Sequence, residues 1–191
     1  MKNKAEIVRS VYLYLIALTG ILMVVFSIIS ISNSLLNFFF REGEDLSWLL
    51  NLTLRSVAFL ISGIFFFAFH WGFIVKEKRI GKRSENSELE TRMNLFESIF
   101  FYALSYAGLM IFAFSFSGFL SNFAYVQYLE KTVPMPEDMT NYVQQTQLTV
   151  NIKYIIQNLI AMIIGAVLWV ISFIHTQRSY TKEDSIEENK Q

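Results

Sequence analysis

The sequence predicts an all-α membrane protein in which four transmembrane helices form two tandem hairpins. Three observations predict this class. Four apolar runs, at Ser10–Phe40, Ser47–Val75, Phe96–Leu129 and Val150–Ile174, each exceed the about 20 residues that a helix needs to cross a bilayer. Charged residues make up 17% of the chain, well below the roughly 25% of soluble domains, while 53% is hydrophobic and 16% aromatic. The basic residues are also unevenly placed along the chain, although the formal net charge is zero.

That placement gives an orientation. Lys2, Lys4 and Arg9 lie before the first run, and Lys76, Lys78, Arg79, Lys82, Arg83 and Arg92 lie between the second and third. Arg178, Lys182 and Lys190 come after the fourth, so these segments hold 12 of the 16 basic residues. The other two connections carry only Arg41, Arg55, Lys131 and Lys153. Lys and Arg are retained on the cytoplasmic side. Both termini and the central stretch are therefore expected in the cytoplasm. Tyr12, Tyr14, Trp71 and Trp169 would form the inner aromatic belt, with Trp48, Tyr125, Tyr128 and Tyr154 in the outer one. The first run is too long for a cleavable signal peptide and lacks a small-residue cleavage site.

The chain reads as one domain over residues 1–191, with a first hairpin at 10–75. Its turn, Arg41 to Asp45, is short and acidic, and Asp45 suits the N-cap of the second helix. Residues 76–95 read as a cytoplasmic linker, where Ser87-Glu88-Leu89-Glu90 fits a capping box that starts the third helix early. The second hairpin spans 96–175. Val133-Pro134-Met135-Pro136 breaks the third helix, and Glu137 and Asp138 suit the first turn of the next segment. Thr140–Thr149 is polar and Gln-rich, either a helical extension above the membrane or a short lid. The acidic tail within 176–191 is expected to be disordered.

The hairpins resemble each other. An offset of 88 residues places Tyr14 on Tyr102, Gly20 on Gly108 and Ser27 on Ser115. An offset of 98 places Arg55 on Lys153, Gly63 on Ala161 and Trp71 on Trp169. A parallel internal repeat is the expectation, with its pseudo-two-fold axis along the membrane normal. Gly20, Ser27 and Ser34, and likewise Gly108, Ser115 and Asn122, repeat every seven residues and so form one stripe per helix. The fourth helix carries Lys153, Gln157, Ala161, Gly165 and Trp169 every four residues, and the second carries Ala58, Ser62, Phe66 and His70. Such stripes either pack helices closely or line a polar cavity. The cavity reading takes Asn33, Arg55, His70, Asn122, Lys153 and Gln157 as its walls.

Chemistry is thin in this chain. Cysteine is absent, which removes disulfides, iron–sulfur ligation and palmitoylation. His70 lies inside the inner boundary, as a neutral ring bonded to a Ser or a backbone carbonyl or as a functional group. His175 differs from it in depth by about one helical turn, which suits no bis-histidine haem. Arg55 and Lys153 snorkel to headgroups, pair with the acidic turn residues or bind an anion. No hydrolase, nucleotide-binding or metal motif occurs, no Asp or Glu lies deep in a run, and nothing points to nucleic acid. No cofactor and no enzymatic activity are expected.

Tyr12-Leu13-Tyr14-Leu15-Ile16-Ala17-Leu18 and Phe69-His70-Trp71 resemble an uncharacterised prokaryotic membrane family, a domain of unknown function. Its members have a Tyr-rich first helix and a His-Trp at the inner end of the next. The resemblance covers the first hairpin; the second carries Leu168-Trp169 where His-Trp would fall. It implies a bacterial-type plasma membrane protein without an established activity. The expected role is association within the lipid bilayer, as a homo-oligomer or beside a membrane-protein partner. The alternative is a passive or facilitative carrier of a small polar solute.

Overall fold

The computed structural model describes the backbone of residues 2–40, 46–83, 87–132 and 137–188, and the side chains of 7–40, 47–80, 91–128 and 146–177. The chain forms four helices: α1 (Lys2–Phe39), α2 (Leu46–Arg83), α3 (Ser87–Thr132) and α4 (Glu137–Glu188). Each contains a segment long and apolar enough to cross a membrane: Ile7–Phe39, Ser47–Ile80, Thr91–Tyr128 and Thr146–Gln177. Val8, Phe39, Phe59, Phe65 and Phe114 are all exposed, as suits helices whose solvent is hydrocarbon. α1 packs along α2 and α3 along α4. The end with the chain termini and the α2–α3 connection is the basic end of the bundle, and the other is the turn end.

Helix extends further than the composition suggested. Most of the stretch read as a linker over 76–95 is the end of α2 and the start of α3. The tail expected to be disordered is helical to Glu188, and Thr140–Thr149 is a helical extension rather than a lid. A spanning helix already carries the nucleation cost, so each further residue adds a hydrogen bond without a new nucleus. α3 starts at Ser87 and ends at Thr132, before the proline-containing stretch. The cap at Asp45 and the side chains of the Ser87 box lie outside the described residues.

Glycines set the spacing within each hairpin. A Cβ on Gly20 would lie 2.6 Å from Phe67 N and 3.0 Å from Gly63 O; one on Gly63 would lie 2.8 Å from Gly20 O. In the second hairpin a Cβ on Gly108 would lie 2.6 Å from Trp169 N and 2.9 Å from Gly165 O; one on Gly165 would lie 2.8 Å from Gly108 O. Backbone touches backbone in both, as small residues permit in lipid. Gly165, not Ala161, therefore stands to Gly108 as Gly63 stands to Gly20, and Trp169 takes the place of Phe67 rather than of Trp71. The contacts relate α2 to α4 by 102 residues instead of 98. The two registers differ by four residues, about one turn, so both keep the same helical face. Pattern alone could not separate them.

The buried face of α2 also differs from the expected one. Ala58, Ser62 and Phe66 are exposed, whereas Leu49, Ser56, Gly63 and His70 are buried. That face repeats every seven residues and pairs with Gly20, Ser27 and Ser34, which are buried on α1. Gly165 and Ser172 continue the spacing on α4.

The two hairpins meet at the basic end. Leu13, Tyr14, Ala17, Ile74, Met93, Phe100 and Leu104 form the buried core, with Trp71 and Leu168 packed against it. Toward the turn end the hairpins diverge. Ser10 and Ile28 are five turns apart on the same side of α1, as are Ala17 and Leu35. Ser10 is 2% exposed and Ile28 42%; Ala17 is 0% exposed and Leu35 52%. The face that meets the second hairpin at one end is bare at the other.

Candidate functional site

The seam of the first hairpin is its most polar part. Ser30 Oγ lies 2.6 Å from Ser56 Oγ, bridging α1 and α2. Ser27 donates to Met23 O at 2.6 Å, and Ser56 can donate to Leu52 O at 3.0 Å, as helix-buried hydroxyls commonly do. Beyond them, toward the turn end, the amide oxygens of Asn33 and Asn37 and the hydroxyl of Ser34 are buried without a hydrogen-bond partner. An unmet polar group away from water costs about 1–3 kcal/mol, so this trio is expensive as it stands. Beside the seam a cavity of about 440 Å³ opens outward, bounded by Thr19, Met23 and Phe26 on α1 and Ser56 and Phe59 on α2. At the equivalent level of the second hairpin a side chain of α4 packs close against α3. A Cβ on Gly118 would lie 2.6 Å from Asn158 Oδ1.

The six residues proposed to wall a polar cavity are scattered. Asn33 is half-buried on α1, while Arg55 is exposed on α2. Asn122 donates to Gly118 O at 2.7 Å, one turn back on its own helix. Lys153 is half-buried, with its ammonium 5.8 Å from the ring centre of Tyr154; Gln157 is half-buried one turn further on. His70 is 15 residues from Arg55, roughly 22 Å along the helix axis, so these two cannot line one site. Its Nδ1–H donates to the carbonyl of Phe66 at 2.8 Å, and its ring meets the edge of Tyr12 at 6.0 Å. His175 stacks on Phe101 at 3.9 Å, so the two histidines turn to different helices. Among the described residues no group of three or more His, Asp or Glu is placed to hold a metal. Of the acidic residues offered as partners for Arg55 and Lys153, those between Arg41 and Asp45 lie outside the described residues, as do the side chains of Glu137 and Asp138.

A junction at the basic end was not legible in the sequence. The hydroxyl of Tyr14 donates to the Met93 carbonyl at 3.2 Å, joining α1 to α3. Trp71 of α2 meets Phe100 at 5.6 Å and Phe101 at 6.2 Å, both on α3. Lys78 pairs with Glu97, again across the hairpins, and Arg9 pairs with Glu77 at 2.7 Å within the first. The available signal was weak: an acid and a base on either side of the central stretch, without a spacing that assigns partners.

The chain matches the model of a family described as Domain of unknown function (DUF5671) over residues 10–127, more than half of its length. The protein belongs to the DUF5671 family. The family match extends past the first hairpin, where the resemblance was read, and takes in the membrane segment of α3 almost to its end. Both the Gly20–Gly63 seam and the basic-end junction of α1, α2 and α3 fall inside the DUF5671 region. No curated protein and no solved structure matches the chain.

Proposed function

We propose that this protein is a non-enzymatic component of a bacterial-type plasma membrane that acts by helix association, as a homo-oligomer or an accessory subunit of a membrane complex. The divergence of the hairpins supports this reading: Ala17 is buried where Leu35, on the same face of α1, is bare. A wedge between two hairpins suits a further transmembrane segment, because packing and interhelical hydrogen bonds drive association in lipid. The connections between the membrane spans are too short for a catalytic domain. We read the hairpins as an internal repeat at offsets of 88 and 102 residues, with both termini cytoplasmic.

Cross-linking tests the association. The chain has no cysteine, so Leu35→Cys reports on the wedge and Phe59→Cys, exposed on α2, serves as the control. In native membranes Leu35→Cys should form a discrete cross-linked species and Phe59→Cys should not. A monodisperse monomer in mild detergent, with no cross-link at Leu35→Cys, would sink the reading. A carrier of a small polar solute is the second reading, and the unpartnered Asn33, Ser34 and Asn37 favour it. It requires thermal stability that rises with one solute and loses that response in Asn33→Leu.

A further inference from the structure

We infer that the cavity beside the Ser30–Ser56 bridge binds a neutral aromatic lipid through its phenolic hydroxyls, the chemistry of a membrane hydroquinone. Its volume of about 440 Å³ falls within the roughly 300–1,000 Å³ of small-molecule sites. Phe26 lines it from α1 and Phe59 from α2, and both side chains are more than half exposed. Thr19 lies ten residues beyond Arg9, and Ser30 lies nine before the end of α1 at Phe39. About 13 Å or more of helix therefore separates the cavity from either end of this stretch. No charged residue lines it, and Arg55, next to Ser56 in the chain, is exposed outside the lining. The occupant is accordingly neutral and soluble in hydrocarbon.

The hydroxyls in the lining select its polar group. Thr19 donates to Leu15 O at 2.9 Å, Ser27 to Met23 O at 2.6 Å and Ser56 to Leu52 O at 3.0 Å. With Ser56 so committed, the proton of the Ser30–Ser56 contact comes from Ser30. All four protons are then used inside the protein, and only lone pairs remain for an occupant. A ligand with O–H groups satisfies them. One with only carbonyl or ether oxygens sets acceptor against acceptor. The rings select the rest, because aromatic pairs attract beyond their burial and a flat ring can use both Phe26 and Phe59. The second hairpin offers no such set. By the packing registers of 88 and 102 residues, Gly118 stands for Ser30, Asn158 for Ser56 and Ala161 for Phe59, and Asn158 packs against Gly118. The cavity is therefore not a by-product of glycine packing, which both hairpins share. It is also independent of the association reading. Phe26 and Leu35 are nine residues apart, two and a half turns, so cavity and wedge lie on opposite sides of α1.

Thermal stability of the full chain in mild detergent tests this, titrated under argon with a decyl-substituted benzoquinol, the matching benzoquinone, the dimethyl ether of the quinol and decanol. The quinol should stabilise saturably, at concentrations about tenfold below those that the quinone or the ether needs. Decanol, which has a hydroxyl but no ring, should be weaker than the quinol by about fivefold. Ser30→Ala should bring the quinol's half-point up to the quinone's without moving the quinone's. Phe59→Leu should weaken quinol and quinone alike, about fivefold, and keep their ratio. Circular dichroism checks that both variants fold, and the comparison of ligands on the wild-type protein stands without them. Equal responses of the wild type to quinol and quinone, or to quinol and decanol, would overturn the assignment. So would the lack of a saturable response to the quinol, or an unchanged quinol preference in a folded Ser30→Ala protein.

Discussion

At the scale of single residues, the absence of a side chain is the main packing device. A Cβ at Gly20, Gly63, Gly108 or Gly165 would approach facing backbone within 3.0 Å. Backbone cannot rotate away as a side chain can, so the helices would have to separate. Gly20→Ala and Gly165→Ala should each cost about 1–3 kcal/mol, the usual range for overpacking. Gly72 is the control, because nothing lies within 4 Å of the place its Cβ would take. Gly72→Ala should be neutral or stabilise by about 0.5–1 kcal/mol through the backbone entropy that glycine otherwise loses. Unfolding in mixed micelles would measure all three, and equal losses would show that close approach is not what holds the hairpins. The hydroxyls contribute less. An interhelical hydrogen bond in lipid is worth about 0.6 kcal/mol on average, so the Ser30–Ser56 bridge aligns the seam more than it stabilises it.

At the scale of helices, each hairpin is a tight unit, and the joint between hairpins is made differently. Among the described residues it uses rings, the Tyr14–Met93 hydrogen bond and the Lys78–Glu97 ion pair instead of glycine contacts. Tyr14 and Trp71 reach Phe100 from α1 and α2 at 5.9 Å and 5.6 Å, and Lys78 reaches Glu97. Ring pairs of this kind contribute about 0.5–1.5 kcal/mol each beyond their burial. The ion pair also sets register, because it ties Lys78 of α2 to Glu97 of α3 across the hairpins. Lys78→Glu should place two carboxylates together and loosen the joint by about 1 kcal/mol or more, while Lys78→Glu with Glu97→Lys should recover most of that loss. A double-mutant cycle on thermal unfolding reads the coupling, and additive effects of the two changes would show that the pair is idle.

At the scale of the molecule, length and charge decide how the bundle sits. α3 has 46 residues and α4 has 52, so at 1.5 Å per residue both exceed the roughly 40–45 Å of a whole bilayer. Their polar ends must stand clear of the lipid, with the Gln-rich start of α4 at the turn end and its acidic finish at the basic end. The bias of basic residues toward one end leads us to propose that this end faces the cytoplasm. Ser87→Cys should therefore resist an impermeant thiol reagent in intact cells while Thr140→Cys reacts, without native cysteine to confuse the result. The opposite labelling would invert the topology and leave the helix packing unchanged.

Number and order of the helices were legible in the sequence, because hydrocarbon imposes a simple rule: a spanning segment must be long, apolar and internally hydrogen-bonded. The small residues of α1 and α3 were legible too, since a seven-residue spacing marks a face without naming a neighbour. What faces what was decided only by the fold. Ala58 and Ser62 looked like packing residues by type and lie exposed, because lipid tolerates small residues as readily as large ones. Ser56 and Gly63 do the packing, and the choice between Ala161 and Gly165 as the mate of Gly108 came down to one turn of helix. The six polar residues gathered into one cavity by chemistry were separated by geometry, with His70 and Arg55 at different depths of one helix. Polarity in a membrane helix is local to each residue. The partner that satisfies it, or leaves Asn33, Ser34 and Asn37 unsatisfied, is set by how helices cross, which depends on contacts far apart in the chain.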